Sequence, residues 1–335
     1  MIEPPVSIIL APHNGMDYIR ACLDSVLGQA YKNIEVIIVD NASTDGMLEY
    51  VEHQFPQVRR IRSEANLAYG GGNNLGASVA KGDLLLFLNH DTVVTEDFLI
   101  ELVKVMESWP AIGIAQSKIL MASRRDLVDS AGAYLTRTGM WFHPWRGEPD
   151  CIVDREPIDI LGAAGACVLV RREVFEALRG FDPDFVIYFD DADFSWRAKL
   201  LGHRIVMVPR SVIYHWGGAT TQRLPSAFTV YHSFKNRLCS LIKLLSVRDL
   251  LVTLPLHLAL CIGGALVYFL RLKPANGQAV LRALLWNLAN LPQTLTKRRQ
   301  FMSLSNNRQA GIHGLIRPLP IAWFMRTASG YLTKW

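Results

Sequence analysis

Residues 6–10 and 35–39 are short β-branched runs that each break off into polar residues, and between them the apolar residues Ile19, Leu23, Val26 and Leu27 recur at helical spacing. A strand, a helix and a second strand at that spacing make a βαβ unit, whose two strands run parallel. A third apolar run, residues 83–88, stops at Asn89-His90-Asp91. Parallel α/β sheets place their ligands beyond the carboxyl ends of the strands. The polar clusters His13-Asn14, Asp40-Asn41-Ala42-Ser43-Thr44-Asp45-Gly46 and Asn89-His90-Asp91 all fall there.

At 335 residues, half of them apolar and 19% charged, the chain holds enough core for one large or two modest domains, which excludes a disordered tail. No repeat of fixed period and no low-complexity tract occurs, so a solenoid or a collagen is excluded. The five cysteines (Cys22, Cys151, Cys167, Cys239, Cys261) are far apart, with neither zinc-knuckle nor disulfide-framework spacing, and a reducing compartment is expected. The start, MIEPPVSIIL, lacks the basic opening and long apolar run of a secretory signal, so export is not expected.

Charge divides the chain in two. From residue 240 on lie twelve of the 35 Lys/Arg but one of the 30 Asp/Glu, Asp249, so a basic tail follows an acidic first part. Residues 250–270 carry no charge, a length that can cross a hydrocarbon core as a helix. Pro255, His257 and Gly263-Gly264 interrupt the run, and the basic residues after it favour retention on the cytoplasmic side. The preferred reading is an interfacial or re-entrant segment, continued by residues 279–291 and by a terminal stretch in which Trp323, Phe324, Tyr331 and Trp335 interleave with Arg and Lys. A buried core helix is the alternative. Grease beside the charges points to an anionic membrane surface and not to nucleic acid. A chain cut after about Ser240 is therefore expected to be soluble.

Four further features carry chemistry. Gly70, Gly72 and Gly76 read as a glycine-rich loop before a helix, but their spacing and place do not match a dinucleotide fingerprint. Asn89 and Asp91, two residues apart after a strand, offer oxygen ligands to a hard divalent cation, or else a cap for the next helix. Asp190-Asp191-Ala192-Asp193 opens a second helix with more acid than capping needs, Asp193 pairing with Arg197 at i,i+4. His215-Trp216 follows a strand, where a lone histidine is either structural or a ligand.

In order along the chain, residues 6–14, 35–46, 66–74, 88–92, 162–172 and 180–182, the acidic cluster at 190–193 and His215 resemble the family 2 glycosyltransferases of the GT-A fold, and among them the rhamnosyltransferase-like bacterial members. The resemblance covers about residues 5–240, with an echo in residues 231–238. It implies an α/β fold with a mostly parallel sheet flanked by helices. A catalytic domain over 1–240 would hold the nucleotide-sugar site in 5–120 and the acceptor and catalytic part in 121–240, followed by a helical membrane-associated tail over 241–335. This chain departs from the family at Pro12-His13, where Asn-Tyr is usual, at Ala68 for Gly, at His90 for Pro or Asp, and at Asp190 for Glu.

The resemblance also implies a function. A sugar, rhamnose favoured, would pass with inversion from a nucleotide-diphosphate sugar to a lipid-linked saccharide during cell-surface polysaccharide assembly, at the cytoplasmic face of the membrane. Asp191 would be the general base. Pro12, His13, Asn14, Asp40, Asn66, Gly71, Asn74 and Asn89 would bind the donor, with Asp40 at the nucleobase or ribose. Asp91 and His215 would ligate Mg²⁺ or Mn²⁺, and Asp190, Asp193 and Trp216 would face the acceptor. A metal-dependent nucleotidyltransferase is the second enzyme reading, though residues 6–24 offer only Arg20 to a triphosphate. A non-catalytic membrane-binding protein is the third.

Overall fold

The computed structural model describes residues 3–152, 156–218, 224–304 and 316–317. Trp323, Phe324, Tyr331 and Trp335 lie outside the described residues. The first half alternates as β1 (Val6–Leu10), α1 (Met16–Gly28), β2 (Ile34–Asp40), α2 (Met47–Gln54), β3 (Arg59–Arg62), α3 (Ala68–Val79), β4 (Leu84–Leu88), β5 (Thr92–Val94) and α4 (Phe98–Ser108). Next come β6 (Ile112–Met121), β7 (Arg124–Ser130), β8 (Tyr134–Thr136), β9 (Trp141–Phe142), β10 (Ile158–Asp159), β11 (Cys167–Arg171), α5 (Arg172–Ala177), α6 (Asp190–Leu200) and β12 (Arg204–His215). The chain ends in α7 (Ser226–Leu244), α8 (Val247–Leu270), α9 (Pro274–Ala289) and α10 (Leu291–Leu304), with a short β13 (Ile316–Arg317) beside β8.

Ten strands form the main sheet, with β10-β12-β6-β11-β4-β1-β2-β3 in order and β5 and β7 attached to β12 and β6. The β3-β2-β1-β4 half is parallel, as the βαβ reading requires, and β11 runs antiparallel between β4 and β6. Both faces are covered, so the strands read as unbroken apolar runs. Ile8 and Leu10 of β1 join the core under α1, α2 and α4, while Ile9 faces the core under α3, α5 and α6.

The glycine run is no loop but the first turns of α3. It is helical because glycine lets this helix lie almost on the sheet. A Cβ at Gly76 would sit 2.4 Å from Ile9 Cγ2, and one at Gly72 would sit 2.8 Å from both Ala11 Cβ and Asn41 Nδ2. The same close approach seats the start of α3 beside the polar ends of β1 and β2.

The boundary expected between residues 240 and 241 falls inside α7. That helix is riveted to the catalytic half by ions. Lys243 Nζ lies 2.8 Å from Asp182 and 2.6 Å from Asp193, and Lys297 of α10 lies 2.6 Å from Asp182 and 2.7 Å from Asp184. Cutting after Ser240 would strip Lys243 from Asp182 and Asp193, so the expected boundary divides groups that the fold pairs.

Helix α8 runs unbroken through Pro255 for 24 residues and holds an 18-residue window with a mean hydropathy of 2.2, yet only 22% of that window is buried. Its inner edge docks on the β8–β9 turn, where His257 Nδ1 meets Thr138 O at 3.0 Å. Its outer face bares Leu251, Ile262, Leu266 and Leu270, and α9 adds Leu285 and Leu288. The segment is therefore not a buried core helix.

Candidate active site

The polar ends of β1, β2 and β4, the start of α3, the end of β12 and the start of α6 converge at the carboxyl edge of the sheet. Asn41, at the end of β2, ties the end of β1 to the start of α3. Its Nδ2 donates to Ala11 O at 3.0 Å and its Oδ1 accepts from Leu67 N at 3.3 Å. Pro12 O accepts Asn41 N at 2.9 Å, His13 Nδ1 meets Asn41 O at 2.8 Å, and Asn14 Oδ1 accepts Thr44 N at 2.8 Å. These bonds fold residues 11–14 and 40–44 into one polar rim, with Asn14 and Ala42 both at positive φ.

Beneath that rim Asp40 is fully buried. Its Oδ1 accepts from Ser43 N at 3.1 Å, and Arg62 Nε lies 3.6 Å from Oδ2, which has no hydrogen-bond partner among the described residues. Asn66 Oδ1 accepts from Ala68 N at 2.8 Å in the turn that leads into α3, and Ala68 holds a left-handed φ of 61°. Gly71 lies against Leu67, where a Cβ would come within 3.0 Å. Asn74 stands apart from the rim: its side chain brackets the backbone of Phe181, accepting from N at 2.9 Å and donating to O at 3.0 Å. As a donor ligand it is displaced by this structural task.

Residue 91 meets residue 215 because His215 pairs with Thr92 in the β5–β12 ladder. His215 Nε2 lies 3.3 Å from Asp91 Oδ1, and Trp216 N donates to Asp91 O at 3.0 Å. Trp216 stays 44% exposed, its ring 5.6 Å from that of Tyr18, so it faces open solvent beside the pair.

The other imidazole nitrogen has a partner that the sequence reading missed. Asp129, at the end of β7, places Oδ2 2.8 Å from His215 Nδ1 while Arg146 holds its Oδ1 at 3.2 Å. Burial works against a charged His215, but the hydrogen bonds to Asp129 and Asp91 outweigh it and push its pKa up to about 9. Burial opposes ionisation of Asp91 and Asp129 too, yet the bonds to His215 hold both below the ordinary carboxylate range. The available signal was an acid beside the buried pair Val128 and Ser130.

The acidic helix start divides by residue. Asp191 Oδ2 accepts from Gly165 N and its Oδ1 from Ala192 N, both at 2.7 Å, and the residue is half-buried. Asp190 is buried, with Oδ2 lacking a hydrogen-bond partner among the described residues. Burial, and then the charge of Asp191, raise its pKa to about 8. Burial raises Asp191 as well, against the pull of the two backbone N–H groups. Asp193 does not join the cleft. It is wholly buried, bound by Arg197 at 2.8 Å, Lys243 at 2.6 Å and Ser240 Oγ at 3.1 Å, so its acceptor role gives way to holding α6 against α7.

One turn joins the two halves of the site. Gly165 N holds Asp191, while the next residue, Ala166, accepts Asn89 N through its carbonyl at 3.0 Å. Tyr69 OH, from α3, donates to Gly165 O at 2.8 Å and completes the tether. The acid of α6 and the Asn89-His90-Asp91 segment therefore sit on one rigid piece.

A family model described as "Glycosyl transferase family 2" matches residues 7–179, which contain Tyr69, Asn89 and the Gly165-Ala166 turn but stop short of Asp191. The chain belongs to glycosyl transferase family 2. It is 32% identical over 227 residues to O-antigen biosynthesis protein RfbC of Myxococcus xanthus, which takes in 65% of this chain but only 18% of that protein. To the N-acetylglucosaminyl-diphospho-decaprenol L-rhamnosyltransferase of Mycobacterium tuberculosis it is 26% identical over 259 residues, covering 69% of this chain and 81% of that one. Among solved structures, a mannosyltransferase from Pyrobaculum calidifontis in complex with GDP-mannose and Mn²⁺ superposes with a TM-score of 0.55 at 16% identity, over 93% of this chain and 86% of the other. That likeness shows a shared GT-A fold. In this family 2 chain, Ala68 keeps the left-handed backbone at the position where the family usually carries glycine.

Proposed function

We propose that this family 2 chain is an inverting glycosyltransferase that moves a sugar, rhamnose favoured, from a nucleotide-diphosphate donor to a lipid-linked saccharide in cell-surface polysaccharide assembly. The observation that carries the reading is the Gly165-Ala166 turn, which couples a partly exposed carboxylate to the strand end bearing Asp91. Two relatives named for O-antigen biosynthesis and for rhamnosyl transfer onto a decaprenol-linked sugar support the substrate class.

Asp40 and the rim of Pro12, His13, Asn14 and Asn66 would hold the nucleoside. Asp91 and His215 fit a divalent cation: Nδ1 is committed to Asp129, so Nε2, 3.3 Å from Asp91 Oδ1, is the atom that would give up its proton to the solvent and join that carboxylate as a ligand. Bound there, Mg²⁺ or Mn²⁺ supplies charge neutralisation to a diphosphate leaving group. Asp191 takes the proton from the acceptor hydroxyl as that oxygen bonds to the anomeric carbon and the bond from that carbon to the diphosphate breaks on the opposite face. Inversion follows from this single displacement. Burial raises the basicity of Asp191, and its two backbone donors fix its direction. Asp190 lies buried behind the base, where burial and the charge of Asp191 favour its neutral form.

The bared leucines of α8 and α9 support residence on the cytoplasmic face of the membrane, where a lipid-linked acceptor resides. The test is hydrolysis of a nucleotide-sugar panel by the purified protein with Mn²⁺ or Mg²⁺. One donor should be cleaved, chelator should abolish cleavage, and Asp91→Ala should lose more activity than His215→Ala because it also removes a charge. Full activity in excess chelator would overturn the metal assignment.

A further inference from the structure

The turn that delivers the catalytic acid is held from outside the matched family region. Tyr188 and Phe189 both adopt left-handed backbone, with φ of 63° and 69°. Two bulky residues in succession keep that conformation only where the surroundings impose it. The surroundings are three consecutive residues of α7. Lys235 Nζ donates to Asp184 O at 2.7 Å, Asn236 Nδ2 donates to Ile187 O at 2.9 Å and Tyr188 O at 2.8 Å, and the Arg237 guanidinium lies 5.2 Å above the Phe189 ring.

Asn236 is fully buried, and both neighbours of its Nδ2 are carbonyl oxygens, which fixes the orientation of the amide. Its own Oδ1 has no partner among the described residues. As a stabilising device such a group is poor, because a buried acceptor without a donor costs free energy. Its two donated bonds are spent on the one turn that leads directly into Asp190 and Asp191.

We propose that Asn236 is a positioning residue for the transfer reaction: its carboxamide fixes the left-handed turn at Tyr188-Phe189 and so aims Asp191 at the acceptor hydroxyl. The inference rests on the reading of Asp191 as base. It assigns a task to the 231–238 segment that the donor and metal sites leave unused, and it makes α7 a support of the transfer site.

The experiment uses the full chain with Mn²⁺ and three probes, UDP-N-acetylglucosamine, GDP-mannose and dTDP-rhamnose, following hydrolysis of whichever is cleaved. Asn236→Ala should lower kcat about 10-fold or more, a small misplacement of a reacting group being enough for that. Donor KM should stay within about 2-fold, as the donor site is untouched. Amide hydrogen exchange should quicken over residues 187–192. Adding Tyr188→Gly should bring kcat back to within about 3-fold of wild type, since glycine holds positive φ without a clamp. Unchanged kcat, parallel loss of kcat and donor binding, or failure of the glycine to restore turnover would overturn the inference. If Asn236→Ala does not fold, Asn236→Ser, which keeps a short donor, is judged by the same readouts. Asp191→Asn is measured alongside. Loss of turnover there with none at Asn236→Ala refutes the clamp and leaves the base; retained turnover at Asp191→Asn refutes the base, and the exchange and glycine results then decide the clamp.

Discussion

Replacing Lys243 by methionine keeps the length of the side chain and removes one ammonium from a nearly closed ionic cluster. Lys243 is 3% exposed, and its partners Asp182 and Asp193 are 8% and 0% exposed. Three cations, Lys243, Lys297 and Arg197, face three carboxylates, Asp182, Asp184 and Asp193, so the variant leaves one buried negative charge uncompensated. Breaking one side of a buried pair costs about 3–5 kcal/mol. For a chain of 335 residues that lowers Tm by roughly 4–7 °C. The deficit should persist in high salt, unlike that of the exposed Arg62–Glu49 pair. Its pH dependence has a definite sign. Burial disfavours the Asp182 carboxylate, but Lys243 and Lys297 outweigh it and hold its pKa below the ordinary range. That stabilisation is present above the unfolded pKa and lost as pH falls through the folded one, so wild type and variant should converge in acid. Thermal unfolding followed by circular dichroism across pH is the assay. A Tm change under about 2 °C at neutral pH would show that the helical tail is not bound to the catalytic half through these ions.

Asp190→Asn should stabilise the protein increasingly as pH rises. The folded pKa of Asp190, about 8, lies above its unfolded value, so the wild type loses stability between the two and the asparagine does not; a Tm difference that stays flat from acid to alkaline pH would contradict the burial argument. Ala68→Gly should raise stability by about 0.5–1 kcal/mol, since the left-handed backbone there strains alanine and not glycine. Urea unfolding checks it, and a destabilised variant would mean that helix propensity outweighs the strain.

What was legible in the sequence was what neighbouring residues enforce on one another. The βαβ start, the strand-end polar clusters and the Asp193–Arg197 pair follow from period and spacing, and each appears as read. The glycine run was misplaced because glycine signals a turn locally, whereas here its use is contact with Ile9, Ala11 and Asn41 from other elements. Asp129 escaped notice because it meets His215 across 86 residues of chain, through strand pairings that no local pattern encodes. The tail looked separable because its ionic ties to Asp182 and Asp193 are equally remote in sequence. Its apolar run needs no partner to be recognised, and α8 bares much of it to the surface.

The claim on which the rest depends is that Asp191 accepts the proton. Asp191→Asn keeps the shape of the side chain and can retain the two backbone bonds from Gly165 and Ala192 through its carbonyl oxygen, yet cannot act as a base. Steady-state turnover of the cleaved nucleotide-sugar should fall by roughly 10² or more, with donor KM hardly changed. A variant that loses donor binding but turns over normally at saturation would make Asp191 a binding residue and contradict the account.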